Sequence, residues 1–423
     1  MNLKDQFCSS PWFHMRITNN GGFEYCRWAD RKHIVDQKNI ATTHPLTFFQ
    51  KDMASIRQDM LEGKTVVACS DCKIMEQHSK ISGRQKQLLK TGIDTDNFVK
   101  TAASSTFRTE FEQTDINLLP VDWQIDLGNH CNGACVFCSP DSSSRLAAEF
   151  YKIGFIDQMP ARSWVEDPAS VDKFISTLIS TPNLAYLHFL GGETLITPGF
   201  RTMLQALIDA GLHSRVTIGL TTNLTVWDDD INQLLTQFRE VNLGVSIETT
   251  DNVNDYVRWP SQINSVLSTL ERWLALAKQH DWIMSLRITP TVLTASRVVP
   301  LYQFAVDHNL GIESCNFLND PAFMRTSVLP MSYRRSAAEQ LQNWIDTQAI
   351  STTKIVNTRD LNHATAAAVQ DAMSYLEYLK NAPDESDRLP ALVQYLKKLE
   401  QSRSNSVLSY LPEYEQIFRS AGY

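Results

Sequence analysis

The stretch Val121-Asp-Trp-Gln-Ile-Asp-Leu-Gly-Asn-His130-Cys131-Asn-Gly-Ala-Cys135-Val-Phe-Cys138 decides how the chain reads. Its opening residues, Val121–Leu127, have strand character, and a loop with three cysteines follows at once. Working downstream, strand and helix patterns alternate. Helical patterns cover Ser143–Tyr151 and Val171–Ser180, and Ala185–Leu190 is a strand ending in Gly191-Gly192-Glu193. Pro198–Ala210 is a helix closed by Gly211, and Arg215–Thr221 a strand. Asp228–Phe238 is a helix whose three leading acids suit the macrodipole. Val241–Ile247, Ile283–Thr289 and Gly311–Phe317 are strands, with helices at Ser261–His280 and Val299–His308 between them. Six strand-helix repeats, lacking only a clear last helix, imply a parallel sheet. Six are too few for the eight-stranded barrel, so the expected α/β architecture is a partial (β/α)6 TIM-like barrel. Chemistry then belongs at the C-terminal strand ends, where the cysteine loop and Gly191-Gly192-Glu193 both fall.

Outward from this core the chain changes character. Its first hundred residues carry four cysteines, several aromatics and turn signals, with helical patterns at Ser55–Leu61 and Arg84–Lys90. Residues 101–118 are polar, rich in Ser and Thr, and read as a linker. After Pro330 the pattern is helical: Tyr333–Thr347, Leu361–Leu379 and Leu389–Glu400. The expected division is an N-terminal cysteine-rich domain over 1–105, a core over 120–330 and a helical region over 331–423.

The 423 residues are 43% hydrophobic and 20% charged, which marks a globular chain. The net charge of −8 speaks against nucleic-acid binding by bulk charge. No apolar run reaches a membrane span, and the first residues lack a signal-type apolar stretch, so no membrane association and a reduced, cytoplasmic setting are expected. In that setting the eight cysteines read as metal ligands or catalytic groups rather than disulfides.

Thiolates hold zinc and iron-sulfur clusters. A structural zinc wants four closed ligands, and the loop offers three, Cys131, Cys135 and Cys138. His130 is a fourth candidate, although adjacent residues seldom ligate one ion. A four-iron cluster held by three cysteines leaves one iron open. Ligand count alone leaves both readings standing. Upstream, Cys8 and Cys26 flank a turn-like Asn-Asn-Gly-Gly, and Cys69-Ser-Asp-Cys72 follows after a gap. Four thiolates close either a tetrahedral zinc or a fully ligated cluster.

Cys131-x3-Cys135-x2-Cys138, with the aromatic Phe137 before the last cysteine, resembles the signature of the radical S-adenosylmethionine (radical SAM) superfamily. Leu190-Gly191-Gly192-Glu193-Thr194 looks like that family's GGE motif, which borders the methionine amino group of the cofactor. Thr221-Thr222-Asn223 resembles its TNG and Val245-Ser246-Ile247-Glu248 its SxDG, with Arg258 beyond. Two departures stand out: Leu224 replaces the Gly of TNG and Glu248 replaces the usual Asp. The resemblance implies that Cys131, Cys135 and Cys138 hold a 4Fe-4S cluster. It implies that Phe137, Gly191, Gly192, Glu193, Asn223, Ser246 and Arg258 bind S-adenosylmethionine, the serine and arginine holding its carboxylate. The spacing of Cys8, Cys26, Cys69 and Cys72 resembles the twitch domain, the shortened relative of SPASM, which carries an auxiliary 4Fe-4S cluster. Here that segment precedes the core instead of following it.

The implied activity is reductive cleavage of S-adenosylmethionine to a 5′-deoxyadenosyl radical that abstracts hydrogen from a substrate, with the auxiliary cluster assisting. The implied partners are a small-molecule or peptide substrate, for oxidation, epimerisation or crosslinking, and an electron donor such as flavodoxin or ferredoxin. Cys315, at the end of the sixth strand, reads either as a hydrogen donor or as a small buried hydrophobe. His188, Tyr256 and Trp259 read first as packing residues. The opposing reading is a zinc-stapled, non-enzymatic α/β binding protein.

Overall fold

Period-two burial builds the strands of the computed structural model, which describes residues 7–29, 38–77, 82–91, 119–314, 320–348 and 364–423. In β4 (Tyr186–Leu190), Leu187 and Phe189 are fully buried while Tyr186, His188 and Leu190 on the other face are half-buried. β7 (Ile283–Ile288) repeats the pattern with Met284, Leu286 and Ile288. The other strands are β1 (His14–Ile17), β2 (Phe23–Glu24), β3 (Asp122–Asp126), β5 (Thr217–Thr222), β6 (Glu240–Val245) and β8 (Gly311–Ser314). They form one eight-stranded sheet in the order β2-β1-β3-β4-β5-β6-β7-β8. β1 pairs with β3, β3 with β4, β6 with β7 and β7 with β8 in parallel, and β2 closes one edge antiparallel to β1. This is the α/β, mostly parallel architecture expected of a partial barrel.

Among the described residues the α-helices of five residues or more are α1 (Ala54–Leu61), α2 (Ser70–Gln77), α3 (Gly83–Thr91), α4 (Ser144–Lys152), α5 (Pro168–Ile179), α6 (Pro198–Asp209), α7 (Asp229–Leu235), α8 (Val253–Val257), α9 (Ile263–His280), α10 (Val298–Asp307), α11 (Met331–Thr347), α12 (Ala364–Asn381), α13 (Leu389–Arg403) and α14 (Glu415–Ser420). Most of those expected from sequence appear within one to three residues. Their starts are chemically marked: Asp167 accepts from the N–H groups of Ala169 and Ser170 ahead of α5, with Pro168 at its first position. No described helix is long and apolar enough to cross a membrane. The linker at 101–118 and the end of the sixth expected strand, with Cys315, lie outside the described residues.

Two compact units divide the chain. One comprises Met1–Asn129, Ala161–Gly219 and Asp229–Val241; the other His130–Pro160, Leu220–Asp228 and Asn242–Tyr423. In the first, Phe174 of α5 packs between Trp123 and Trp164, at 5.2 Å from each ring. The hairpin β1–β2 also belongs here, and sequence reading did not foresee it. Its turn is the Asn-Asn-Gly-Gly segment, where Gly21 takes φ +82° and Thr18 accepts from the Gly21 N–H at 2.8 Å. The strand escapes a pattern search because it is four residues long and puts His14 and Arg16 on one face. Arg16 is partnered: it donates to Glu24 at 2.7 Å and to Asp126 at 3.1 Å. In the second unit, Val136 of the cysteine loop joins a core with Val253, Tyr256 and Val257 of α8 and Leu392, Leu396 and Leu399 of α13.

Candidate functional site

The three-cysteine loop leaves β3 and runs to Ser143, the cap of α4. Ser143 Oγ accepts from the Leu146 N–H at 3.0 Å and donates to the Gly133 carbonyl at 2.6 Å, so the helix start and the loop share one anchor. A Cβ on Gly133 would lie 3.7 Å from Cys131 Sγ and 3.8 Å from both Cys135 Sγ and Asn223 Nδ2, so both thiols stand at contact distance from this backbone. The Gly133 N–H itself points to Cys131 Sγ at 3.4 Å.

Burial raises the Cys135 thiol, and Arg258 opposes the shift. Cys138 is pushed up to about 12 by burial, with Cys135 and Cys131 raising it further. The neighbouring Cys135 and Cys131 both disfavour the Cys138 thiolate, and a bound metal group would offset that repulsion. Among the described residues no three Cys, His, Asp or Glu side chains are spaced to share a single ion. Three thiolates on three separate irons have no need of that spacing. The donor set therefore fits a cluster with one iron open.

Beside the loop lies a cleft of about 310 Å3 lined by Asn132, Cys135, Asn223, Arg258, Ser261 and Gln262 among others. Asn223 donates to Asn132 at 2.9 Å, and Asn132 donates to Thr225 at 2.8 Å. Leu224, where the TNG motif has glycine, holds the left-handed backbone the glycine would supply, at φ +61°. Its amide donates to Thr222 Oγ1 at 3.1 Å, and its side chain is buried.

The second departure has a direct structural consequence. Glu248 is 2% exposed and accepts from Arg258 Nε at 3.1 Å, Arg258 Nη2 at 2.6 Å and the Thr289 N–H at 2.7 Å. Arg258 Nη1 stands 4.0 Å from Cys135 Sγ, and the guanidinium lies 5.5 Å from the centre of the Phe137 ring. Arg258 thus comes to the site already paired. Ser246 is half-buried at the end of β6, where its amide donates to the Thr222 carbonyl at 2.9 Å.

In the first unit, Gly191 takes φ +127°, and its missing Cβ would meet the Gly128 carbonyl oxygen at 2.8 Å. The Gly192 N–H donates to that same carbonyl at 2.8 Å, tying the loops after β3 and β4 together. Glu193 is 1% exposed and accepts from the Leu195 N–H at 3.1 Å. His188 pairs with Tyr186 Oη at 3.0 Å.

The same unit brings Cys8, Cys26, Cys69 and Cys72 around one cavity with Tyr25 and Trp28. Cys8 packs with Phe7, Trp12, Met60 and Leu61; Cys69 and Cys72 bracket the start of α2. The Trp28 N–H donates to Cys26 Sγ at 3.3 Å. Burial pushes Cys69 up to about 12 and raises the other three thiols. Arg84 bonds Glu76 at 2.7 Å and the Phe7 carbonyl at 3.1 Å, closing the cavity wall.

Residues 125–288 match the family model described as the Radical SAM superfamily. That segment, less than half of the chain, is similar to the superfamily. The chain is 22% identical over 140 residues to the sporulation killing factor maturation protein SkfB of Bacillus subtilis (strain 168), covering 33% of this chain and 29% of SkfB. Among solved structures it is similar to Streptococcus suis SuiB bound to precursor peptide SuiA, at 12% identity, TM-score 0.39, and 68% of this chain against 62% of that one. It is also similar to anSMEcpe with bound AdoMet, at 17% identity, TM-score 0.38, and 54% of this chain against 61% of that one. The chain thus spans less than a third of SkfB and about three fifths of the two solved chains.

Proposed function

We propose that this chain is a radical SAM enzyme of maturase type, acting on a peptide or small-molecule substrate. The observation that carries the reading is the loop itself: Cys131 and Cys135 both close to the Gly133 backbone, Cys138 within electrostatic reach of the two, and the Arg258 guanidinium beside Cys135. Cys131, Cys135 and Cys138 would hold a 4Fe-4S cluster. Bound together, that cluster and S-adenosylmethionine supply a 5′-deoxyadenosyl radical for hydrogen abstraction.

The chain's own part is placement. Arg258 Nη1, the guanidinium nitrogen not committed to Glu248, and Ser246 would take the cofactor's carboxylate. Gly191, Gly192 and Glu193 would serve its amino group, and Asn223 and Phe137 would line its site. Cys8, Cys26, Cys69 and Cys72 would hold a second, fully ligated cluster for electron transfer or substrate positioning. The likeness to a maturation protein favours a peptide as substrate, with an electron donor of flavodoxin or ferredoxin type.

Anaerobic iron and sulfide analysis tests the metal assignment. The expected content is about eight irons per chain if both sites hold four-iron clusters. Replacing Cys131, Cys135 and Cys138 by Ala should remove about half, and replacing the other four cysteines the other half. One tightly bound zinc in place of the N-terminal iron would make that site a structural staple. A core that binds no iron would overturn the reading and favour the zinc-stapled binding protein.

A further inference from the structure

The backbone between the three cysteines is held by residues far away in sequence. The Ala134 N–H donates to the Trp259 carbonyl at 2.6 Å and the Val136 N–H to the Val257 carbonyl at 2.9 Å, both at the end of α8. The carbonyls of the same two residues point to α13. Tyr395 Oη donates to Val136 O at 2.7 Å, and Arg403 Nη2 donates to Ala134 O at 2.8 Å. Tyr395, Leu399 and Arg403 are four residues apart and so share one helix face. Leu399 packs in the same apolar cluster as Val136.

Both donors are themselves fixed. The Tyr395 ring lies 5.4 Å from Phe155 and 5.0 Å from Phe323. Arg403, its side chain 2% exposed, forks onto Glu149 of α4 with Nε at 2.9 Å and Nη2 at 2.7 Å. Two rigid donors and two rigid acceptors therefore grip alternate residues around Cys135.

We infer that α13 is a strut for the metal-binding loop, with Tyr395 and Arg403 as positioning residues that preset the three thiols before iron arrives. The inference rests on the proposed cluster at these cysteines. It assigns to the C-terminal helices a task that the sequence did not show. A loop ordered in advance loses less freedom on binding its ligand and holds it longer.

The test uses reconstituted full-length protein. Tyr395→Phe keeps the ring and removes one donor. Glu149→Gln combined with Arg403→Met removes the other donor without leaving a lone buried charge. The readouts are the electron paramagnetic resonance signal that added S-adenosylmethionine perturbs, the rate of its loss under an iron chelator, and circular dichroism. Tyr395→Phe should lose that signal several-fold faster than wild type and shift its line shape, with an unchanged dichroism spectrum. The double variant should lose it faster still. Wild-type loss rates and line shapes in Tyr395→Phe would overturn the strut, whether or not the double variant folds. A wild-type chain that takes up no iron at the core would overturn the proposed function and the strut together.

Discussion

Arg258 gives Nε and Nη2 to Glu248 and leaves Nη1 near Cys135, so one side chain links a buried carboxylate to the cysteine loop. Removing it strands a carboxylate that is 2% exposed. Breaking a buried pair in this way costs about 3–5 kcal/mol. Arg258→Gln should therefore be strongly destabilised in urea unfolding, and Glu248→Gln/Arg258→Gln should recover much of the loss. Strictly additive costs would show the two groups to be uncoupled. The stable double variant also isolates the cofactor role. Loss of one charge-assisted bond, about 1.5–3 kcal/mol, should raise its dissociation constant for S-adenosylmethionine tenfold or more at unchanged core iron. Unaltered affinity would remove Arg258 from the cofactor site. Glu248 was readable in the sequence as a departure from a motif. Its pairing with Arg258 was not, because that depends on how the segment from β6 to α8 folds back.

At the scale of elements, the loop after β4 depends on one glycine. A methyl group at Gly191 would meet backbone atoms, the Gly128 oxygen at 2.8 Å and the Leu127 nitrogen at 3.0 Å, which have no side-chain freedom to yield. Gly154 is also left-handed, at φ +70°, but a Cβ there meets nothing within 4 Å. Gly154→Ala should then cost about 1 kcal/mol from backbone strain alone, and Gly191→Ala more, about 2–3 kcal/mol. Equal costs in urea unfolding would mean that the close approach to Gly128 is not a constraint. The strands and helices from 121 onward were legible because each carries its own period and its own caps, as at Ser143 and Asp167. β1 and β2 were not. Their polar face is satisfied by Arg16, Glu24 and Asp126, and that network exists only once the sheet has formed.

At the scale of the molecule, among the described residues one thiol group falls in each compact unit: four cysteines around a cavity in one, three on a loop in the other. Local spacing made both groups visible in the sequence. The support of the loop was invisible to it, because Arg403 meets Ala134 across 269 residues and no local pattern marks such a pairing. The two groups should also separate in function. With the N-terminal four cysteines replaced, cofactor cleavage should persist in part while product formation is lost. The central claim is that Cys131, Cys135 and Cys138 support reductive cleavage of S-adenosylmethionine. Its most direct test is to measure 5′-deoxyadenosine formed by anaerobically reconstituted, chemically reduced protein. The wild type should form it, and the variant with all three loop cysteines replaced by Ala should form none. Formation by that variant at the wild-type rate, or none by the iron-loaded wild type, would contradict the account.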